Sequence, residues 1–99
     1  MCNETWDLVN IIVDGQLFVA DLREYDVVRV IKLIQTDRPF DGTESVRRLP
    51  KVGDVATICH EYNRKDPKAA VAVEMVDGDG LTVWLADFER AELELVRRS

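Results

Sequence analysis

Cysteine and histidine are scarce in this chain of 99 residues, which holds two cysteines and one histidine. A zinc site needs about four ligands at close spacing, so Cys2, Cys59 and His60 cannot supply one. The two cysteines lie far apart and Cys2 is near a chain end, so a stabilising disulfide is not expected and both thiols are predicted to be free. The composition gives no support to a metal centre or another cofactor.

Long apolar runs are also lacking. The longest candidate, Leu8 to Val13, is interrupted by Asn10 and is far shorter than the roughly 18 to 20 residues that span a bilayer. The first residues, MCNETWD, are acidic where a secretory or mitochondrial leader would be basic. We therefore expect a cytoplasmic protein without a membrane span.

Basic residues are outnumbered, with 13 lysines and arginines against 19 aspartates and glutamates and a net charge of −6. The acids concentrate in residues 1–26 and 69–95, whereas the bases concentrate between Arg47 and Lys68. Nucleic acid is not expected as the main partner, because a phosphate backbone requires a cationic surface. We expect a basic protein partner whose association slows as salt rises.

Valine, isoleucine and leucine recur along the whole chain, and the 46% hydrophobic content fits one domain with one core. Runs rich in β-branched residues are separated by Gly, Pro and Asp-Gly turns, which predicts an all-β fold. A long polar loop is expected over 36–54. The predicted strands are Leu8 to Val13, Gln16 to Ala20, Asp26 to Gln35, Val55 to Tyr62, Ala70 to Val76, Leu81 to Ala86, and a turn followed by a short strand within Asp87 to Val96.

Two Asp-Gly steps predict hairpin turns, at Asp14-Gly15 and within Asp77 to Gly80. The first turn has a competing interpretation, in which a short helix runs from about Glu4 to Val13 and ends at Gly15.

Three segments, Tyr25 to Val28, Val52 to Ile58 and Val73 to Val83, resemble a family of small bacterial proteins known only as a domain of unknown function. The likeness covers about residues 25–96, and Ala56 stands where that family usually has glycine. The resemblance implies a five-stranded SH3-like barrel over residues 25–99, preceded by an N-terminal extension over residues 1–24. It implies no chemistry.

The residues that could support catalysis are poorly arranged for it. Cys59 and His60 are neighbours on a predicted strand, so their side chains point to opposite faces and cannot form a nucleophile and base pair. The Asp77 to Gly80 segment lacks the later oxygen ligands of a calcium loop. We therefore do not expect an enzyme.

A binding surface is expected instead. If Leu81, Val83 and Leu85 fill the core, then Trp84 lies on the outward face of its strand. Core packing of the aromatic residues and solvated charged faces are the plain alternatives. The candidate partner-binding residues are Trp84, Phe40, Glu89, Glu92, Glu94, Arg47 and Arg48.

The favoured function is a small acidic protein-binding module, for instance an immunity protein or antitoxin that neutralises a basic toxin. The alternative is an accessory subunit or domain of a larger assembly, with residues 1–24 docking on a partner or on a second copy to form a homodimer. An enzyme is the third and least favoured class.

Overall fold

The computed structural model describes residues 10–13, 16–19, 22–66 and 68–98. In those ranges the fold is all-β with no α-helix, as the sequence predicts. The strands are β1 (Asn10–Val13), β2 (Gln16–Val19), β3 (Val27–Val30), β4 (Val55–Glu61), β5 (Val71–Val76), β6 (Thr82–Phe88) and β7 (Leu93–Arg97), and a 3-10 helix (Arg90–Glu92) precedes β7.

The last five strands form one antiparallel sheet in the order β6-β5-β4-β3-β7. The first strand of this set, β3, therefore lies between the second, β4, and the last, β7. The predicted hairpin around Asp77 to Gly80 joins β5 and β6, and the predicted turn and short strand at the end of the chain are the 3-10 helix and β7.

The N-terminal segment contains a separate two-stranded sheet. β1 and β2 pair antiparallel with Val13 opposite Gln16, so the hairpin forms over Asn10–Val13 and Gln16–Val19, and the competing helix is wrong for Asn10–Val13. The predicted turn at Asp14-Gly15 and the rest of the proposed helix lie outside the described residues.

The predicted strand Asp26 to Gln35 is shorter than expected, because the chain leaves the sheet after Val30. The backbone N–H of Ile31 donates to the carbonyl of Glu92, and that of Ile34 donates to the Glu92 carboxylate. These bonds begin the long loop that ends at β4.

That loop covers the edge of the sheet along β6. Asp41 and Leu85 exchange backbone hydrogen bonds of 3.0 and 2.8 Å, and Thr43 N–H donates to Thr82 O over 2.8 Å. Because an uncovered edge strand presents free donors and acceptors to other chains, the loop protects β6 from such pairing.

The core is apolar and lies on one face of the sheet. Its fully buried side chains include Val28 and Val30 from β3, Ile58 from β4, and Trp84 and Phe88 from β6. The Trp84 and Phe88 ring centroids are 5.3 Å apart, so the two aromatic side chains pack together at its centre.

The prediction that Trp84 faces outward is wrong, since its side chain is 0% exposed. Counting alternate residues from Leu81 fails because the register of β5 and β6 shifts: Met75 pairs with Trp84, and the next pair is Val76 with Thr82. Val83 is the extra residue of this bulge, and a bulge changes the direction of a side chain. Val83 and Trp84 are both buried, whereas Leu85 is exposed.

Truncating Trp84 tests this assignment. Trp84→Ala should lower the free energy of unfolding by about 3–5 kcal/mol, because it removes a fully buried aromatic side chain. Leu85→Ala, the adjacent exposed position, should cost under about 1 kcal/mol. Denaturant melts of both variants give the comparison, and equal small losses would place Trp84 outside the core.

The loop lies close against β6 at Gly42. A Cβ atom there would be 2.5 Å from Val83 O and 2.8 Å from Arg47 Cβ, whereas a Cβ at Gly78 would meet nothing within 4 Å. Gly42→Ala should therefore destabilise the fold by about 1–3 kcal/mol through overpacking. Gly78→Ala is the matched control and should change stability by less than about 0.5 kcal/mol in denaturant melts. A Gly42→Ala variant as stable as the control would show that the loop moves freely away from β6.

Candidate protein-binding surface

The residues predicted to bind a partner do not form one surface. Phe40 is partly buried against the core, and the guanidinium of Arg47 lies over its ring with 4.8 Å from Cζ to the ring centroid. Arg47 is the exposed member of this pair, so only part of Phe40 is open to a partner.

Trp84 and Arg48 meet through a third residue, Asp54, that the sequence did not single out. The Asp54 carboxylate accepts hydrogen bonds from Arg48 Nη1 and Nη2 over 2.9 and 3.0 Å, from Trp84 Nε1 over 3.0 Å and from Lys51 N–H over 2.9 Å. Burial raises the pKa of Asp54, but these donors outweigh it and hold the pKa below its ordinary value. Arg48 is thus an internal structural partner.

The three acidic residues near the end of the chain, Glu89, Glu92 and Glu94, lie in different environments. Glu92 is 0% exposed, so the prediction that it binds a partner from a solvated surface is wrong. Its carboxylate is paired with Arg38 and accepts the backbone N–H groups of Ile34 and Glu89. Glu94 pairs with Arg29 over 2.6 Å at the surface, and Glu89 is exposed.

A second buried pair organises one end of the sheet. Arg90 donates to Glu61 Oε1 over 3.2 Å, to Leu22 O over 2.7 Å and to Ala69 O over 3.1 Å. Glu61 in turn accepts the backbone N–H of Glu24 over 3.1 Å. These bonds fix the 3-10 helix, the segment before β3 and the loop after β4 against one another.

Exposed aromatic side chains gather on this fixed frame. His60 and Tyr62 pack edge to face with ring centroids 5.2 Å apart, and His60 Nδ1 lies 3.3 Å from Glu24 Oε2. Arg64 Nη2 is also 3.3 Å from Glu24, and Tyr25 follows Glu24 in the chain. We call Tyr25, His60, Tyr62 and Arg64 the aromatic surface.

Tyr25 has an unusual backbone conformation. Its φ is +73°, the one positive value among the non-glycine residues that the structure describes, and its side chain is 64% exposed. A bulky residue rarely adopts this region, and such strain is often kept at functional sites. Tyr25 N–H donates to Ile58 O over 2.6 Å, which ties the residue to the interior strand β4 just before β3 begins.

The carboxylates around the aromatic surface are engaged internally. A backbone hydrogen bond from Glu61 lowers the pKa of Glu24 against a smaller effect of burial, and Arg64 and His60 lower it further. Asp87 accepts the Tyr62 hydroxyl over 2.5 Å, and this bond raises the pKa of Tyr62. The surface thus presents rings and a guanidinium, and its acids serve as internal acceptors.

The charge of the described body is nearly balanced. Residues 22–98 hold fifteen acids and thirteen bases, and residues 1–21 hold the other four acids and no base. Four of the fifteen acids and two of the thirteen bases are buried, which leaves eleven of each sign outside the core. The buried charges are Asp26, Asp54, Glu61, Glu92, Arg38 and Arg90. The net negative charge therefore belongs mainly to residues 1–21.

Metal binding has no candidate site in the part of the chain that is described. No group of three or more His, Cys, Asp or Glu side chains there could hold a metal ion. Burial raises the pKa of the Cys59 thiol, and Glu74 raises it further, so this thiol is poor at forming a thiolate. Nor do the described ranges contain a helix with the length and apolar character needed to cross a bilayer.

Comparisons with protein-family models, with curated proteins and with solved structures give no match to this chain. The aromatic surface was not predicted from the sequence, because Tyr25 belongs to a different segment from His60 and Tyr62. Nothing about a tyrosine at position 25 indicates a positive φ. Only the exposure of the residues at the end of β4 could have been predicted from the sequence.

Substitutions of Arg38 and Arg29 compare how much a buried and an exposed ion pair contribute to the free energy of unfolding. Arg38→Met should lower the free energy of unfolding by about 3–5 kcal/mol, because it leaves the buried Glu92 carboxylate without its cation. Arg29→Met removes an exposed pair with Glu94 and should cost under about 1 kcal/mol.

The contribution of Glu92 to the pH dependence of stability should also reverse between wild type and Arg38→Met. Burial raises the pKa of Glu92, but Arg38 and the two backbone donors outweigh it and lower the pKa, so its contribution is lost as the pH falls through the folded-state pKa. Without Arg38 the folded-state pKa of Glu92 should rise above the unfolded value, so the contribution of Glu92 should be lost as the pH increases. Denaturant melts across the acidic range measure both trends, and parallel curves would contradict this role for Arg38.

Proposed function

We propose that this chain is a protein-binding module without catalytic activity, and that it contacts its partner through the aromatic surface. The observation that carries the proposal is the combination of exposed Tyr25, His60 and Tyr62 side chains on a rigid, ion-paired frame. Tyrosine and arginine are enriched at binding hot spots, and prior fixing of the frame lowers the entropy cost of association.

We also propose that the five-stranded sheet is an SH3-like barrel. Its first strand lies beside its last, and register shifts in the pairs β3-β7, β4-β5 and β5-β6 bend the strands in the way that a closing sheet requires. The long loop along β6 supports this proposal by covering one edge.

A basic partner, such as a toxin neutralised by an immunity protein or antitoxin, is a second candidate that charge favours. Since four of the six net negative charges belong to residues 1–21, those residues would guide such a partner. The alternative also involves this part of the chain: the protein would be an accessory subunit that docks on a partner or dimerises through residues 1–24.

Affinity capture from the organism of origin tests the aromatic surface. Wild type, Tyr62→Ala and Val52→Ser are used as bait, and the retained proteins are quantified by mass spectrometry. Val52 is an exposed apolar residue in the long loop, away from the aromatic surface, and serves as the control. A specific partner should be retained by wild type and Val52→Ser and reduced by about tenfold with Tyr62→Ala. Equal capture by all three would remove the aromatic surface from the function.

Tyr25→Asn separates binding from folding. Asparagine tolerates a positive φ, so this variant should relieve strain and raise the free energy of unfolding by about 0.5–1 kcal/mol. It should also weaken capture of the same partner. Tyr62→Asn has no strain to relieve and should not stabilise the fold in denaturant melts. A destabilised Tyr25→Asn variant would show that the tyrosine is kept for folding.

A further inference from the structure

We infer that the aromatic surface accepts an acidic segment of the partner protein that carries a large apolar side chain. This inference rests on the proposed function and specifies the chemistry of the partner at that surface. It follows from the state of the charges around the rings.

The acids Glu24, Glu61 and Asp87 at this surface already have partners, and the exposed Asp66 of the adjacent loop accepts the Lys68 N–H. Glu24 accepts the Glu61 N–H and lies beside His60 and Arg64, and Glu61 is paired with the buried Arg90. Asp87 accepts the Tyr62 hydroxyl. A basic ligand would have to compete with each of these internal interactions.

Two cations of the adjacent loop are in a different situation. Lys65 and Lys68 are exposed, whereas Arg64, although 72% exposed, lies 3.3 Å from Glu24 and 3.8 Å from Glu61. Within the described ranges the ammonium groups of Lys65 and Lys68 form no ion pair. Their backbone N–H groups are bonded to Asn63 and Asp66, which fixes the course of the loop beside Tyr62.

Three of the other arginines are less suited to a ligand, because each is paired with a carboxylate within the fold. Arg48 is paired with Asp54, Arg38 with Glu92 and Arg29 with Glu94. The lysines without an ion pair, Lys65 and Lys68, therefore follow the exposed Tyr62 in the loop after β4. There an acidic segment would be attracted by the lysines, and its apolar side chain would pack against Tyr62 and His60.

The test uses the purified full-length chain and a synthetic acidic peptide, DEDWLDED, with its charge-reversed counterpart KRKWLKRK. Backbone amide shifts in NMR titrations at low salt report the location and the dissociation constant. The acidic peptide should shift resonances of Tyr25 and of residues 60–68, and the basic peptide should not. Raising the salt concentration should weaken binding, because the attraction is screened.

Lys65→Glu/Lys68→Glu should weaken binding of the acidic peptide by about tenfold or more. Lys32→Glu/Lys51→Glu makes the same change in net charge away from the surface and should change the dissociation constant by less than about twofold. Equal losses in both double variants would show a response to net charge alone and overturn the inference.

Other occupants give distinct results. Stronger binding of the basic peptide, or of oligouridine, at the aromatic surface overturns the inference. Tighter binding of the acidic peptide by about tenfold in Trp6→Ala/Asp7→Asn would identify residues 1–9 of the chain itself as the occupant, and also overturns it. If the acidic peptide fails to bind while Tyr62→Ala still abolishes partner capture, the inference falls and the proposed function stands.

Discussion

The pairing of buried carboxylates with arginine is the interaction on which the arrangement of the loops depends. Each of the four buried acids meets a guanidinium and also accepts a backbone N–H from a turn or loop. The sets are Asp26 with Arg98 and Arg23 N–H, Asp54 with Arg48 and Lys51 N–H, Glu61 with Arg90 and Glu24 N–H, and Glu92 with Arg38 and Ile34 N–H. Sheet hydrogen bonds align the strands, but these carboxylates determine where the connecting segments lie.

Such pairs do not stabilise a fold as an equal volume of apolar side chains would, because both charges lose their hydration. Their value here is geometric. A carboxylate has several lone pairs, so Glu92 can bind Arg38 and two backbone N–H groups at once, and an apolar residue at that position could bind none. The guanidinium of Arg38 also lies 4.0 Å from the Phe88 ring centroid, so the loop is fastened to the core by stacking as well as by charge.

The strands could be predicted from the sequence because β-branched runs and Asp-Gly turns act locally, as at β4 and at the hairpin joining β5 and β6. The burial of Trp84 could not be predicted, since it depends on a bulge at Val83 that no residue type indicates. The burial of Glu92 could not be predicted either. Its partner Arg38 is 54 residues away, and a glutamate among other acids near the chain end looks like part of a solvated face. Alternation of residues predicts a face only where the register is regular.

The same long-range pairing explains why net charge is a poor guide to the binding surface. The acids at the aromatic surface are consumed as acceptors for Glu61 N–H, Arg64 and the Tyr62 hydroxyl, so the electrostatic character of that end is set by the cations left over. Most of the excess of acids is elsewhere, since residues 1–21 hold four acids and no base. The chain therefore has two unlike regions: residues 1–21, which hold most of the net negative charge, and the aromatic surface, which is bordered by cations. Because charges beyond about 8–10 Å are largely screened at ordinary ionic strength, the groups beside the rings, and not the net charge of the chain, decide which ligand that surface attracts.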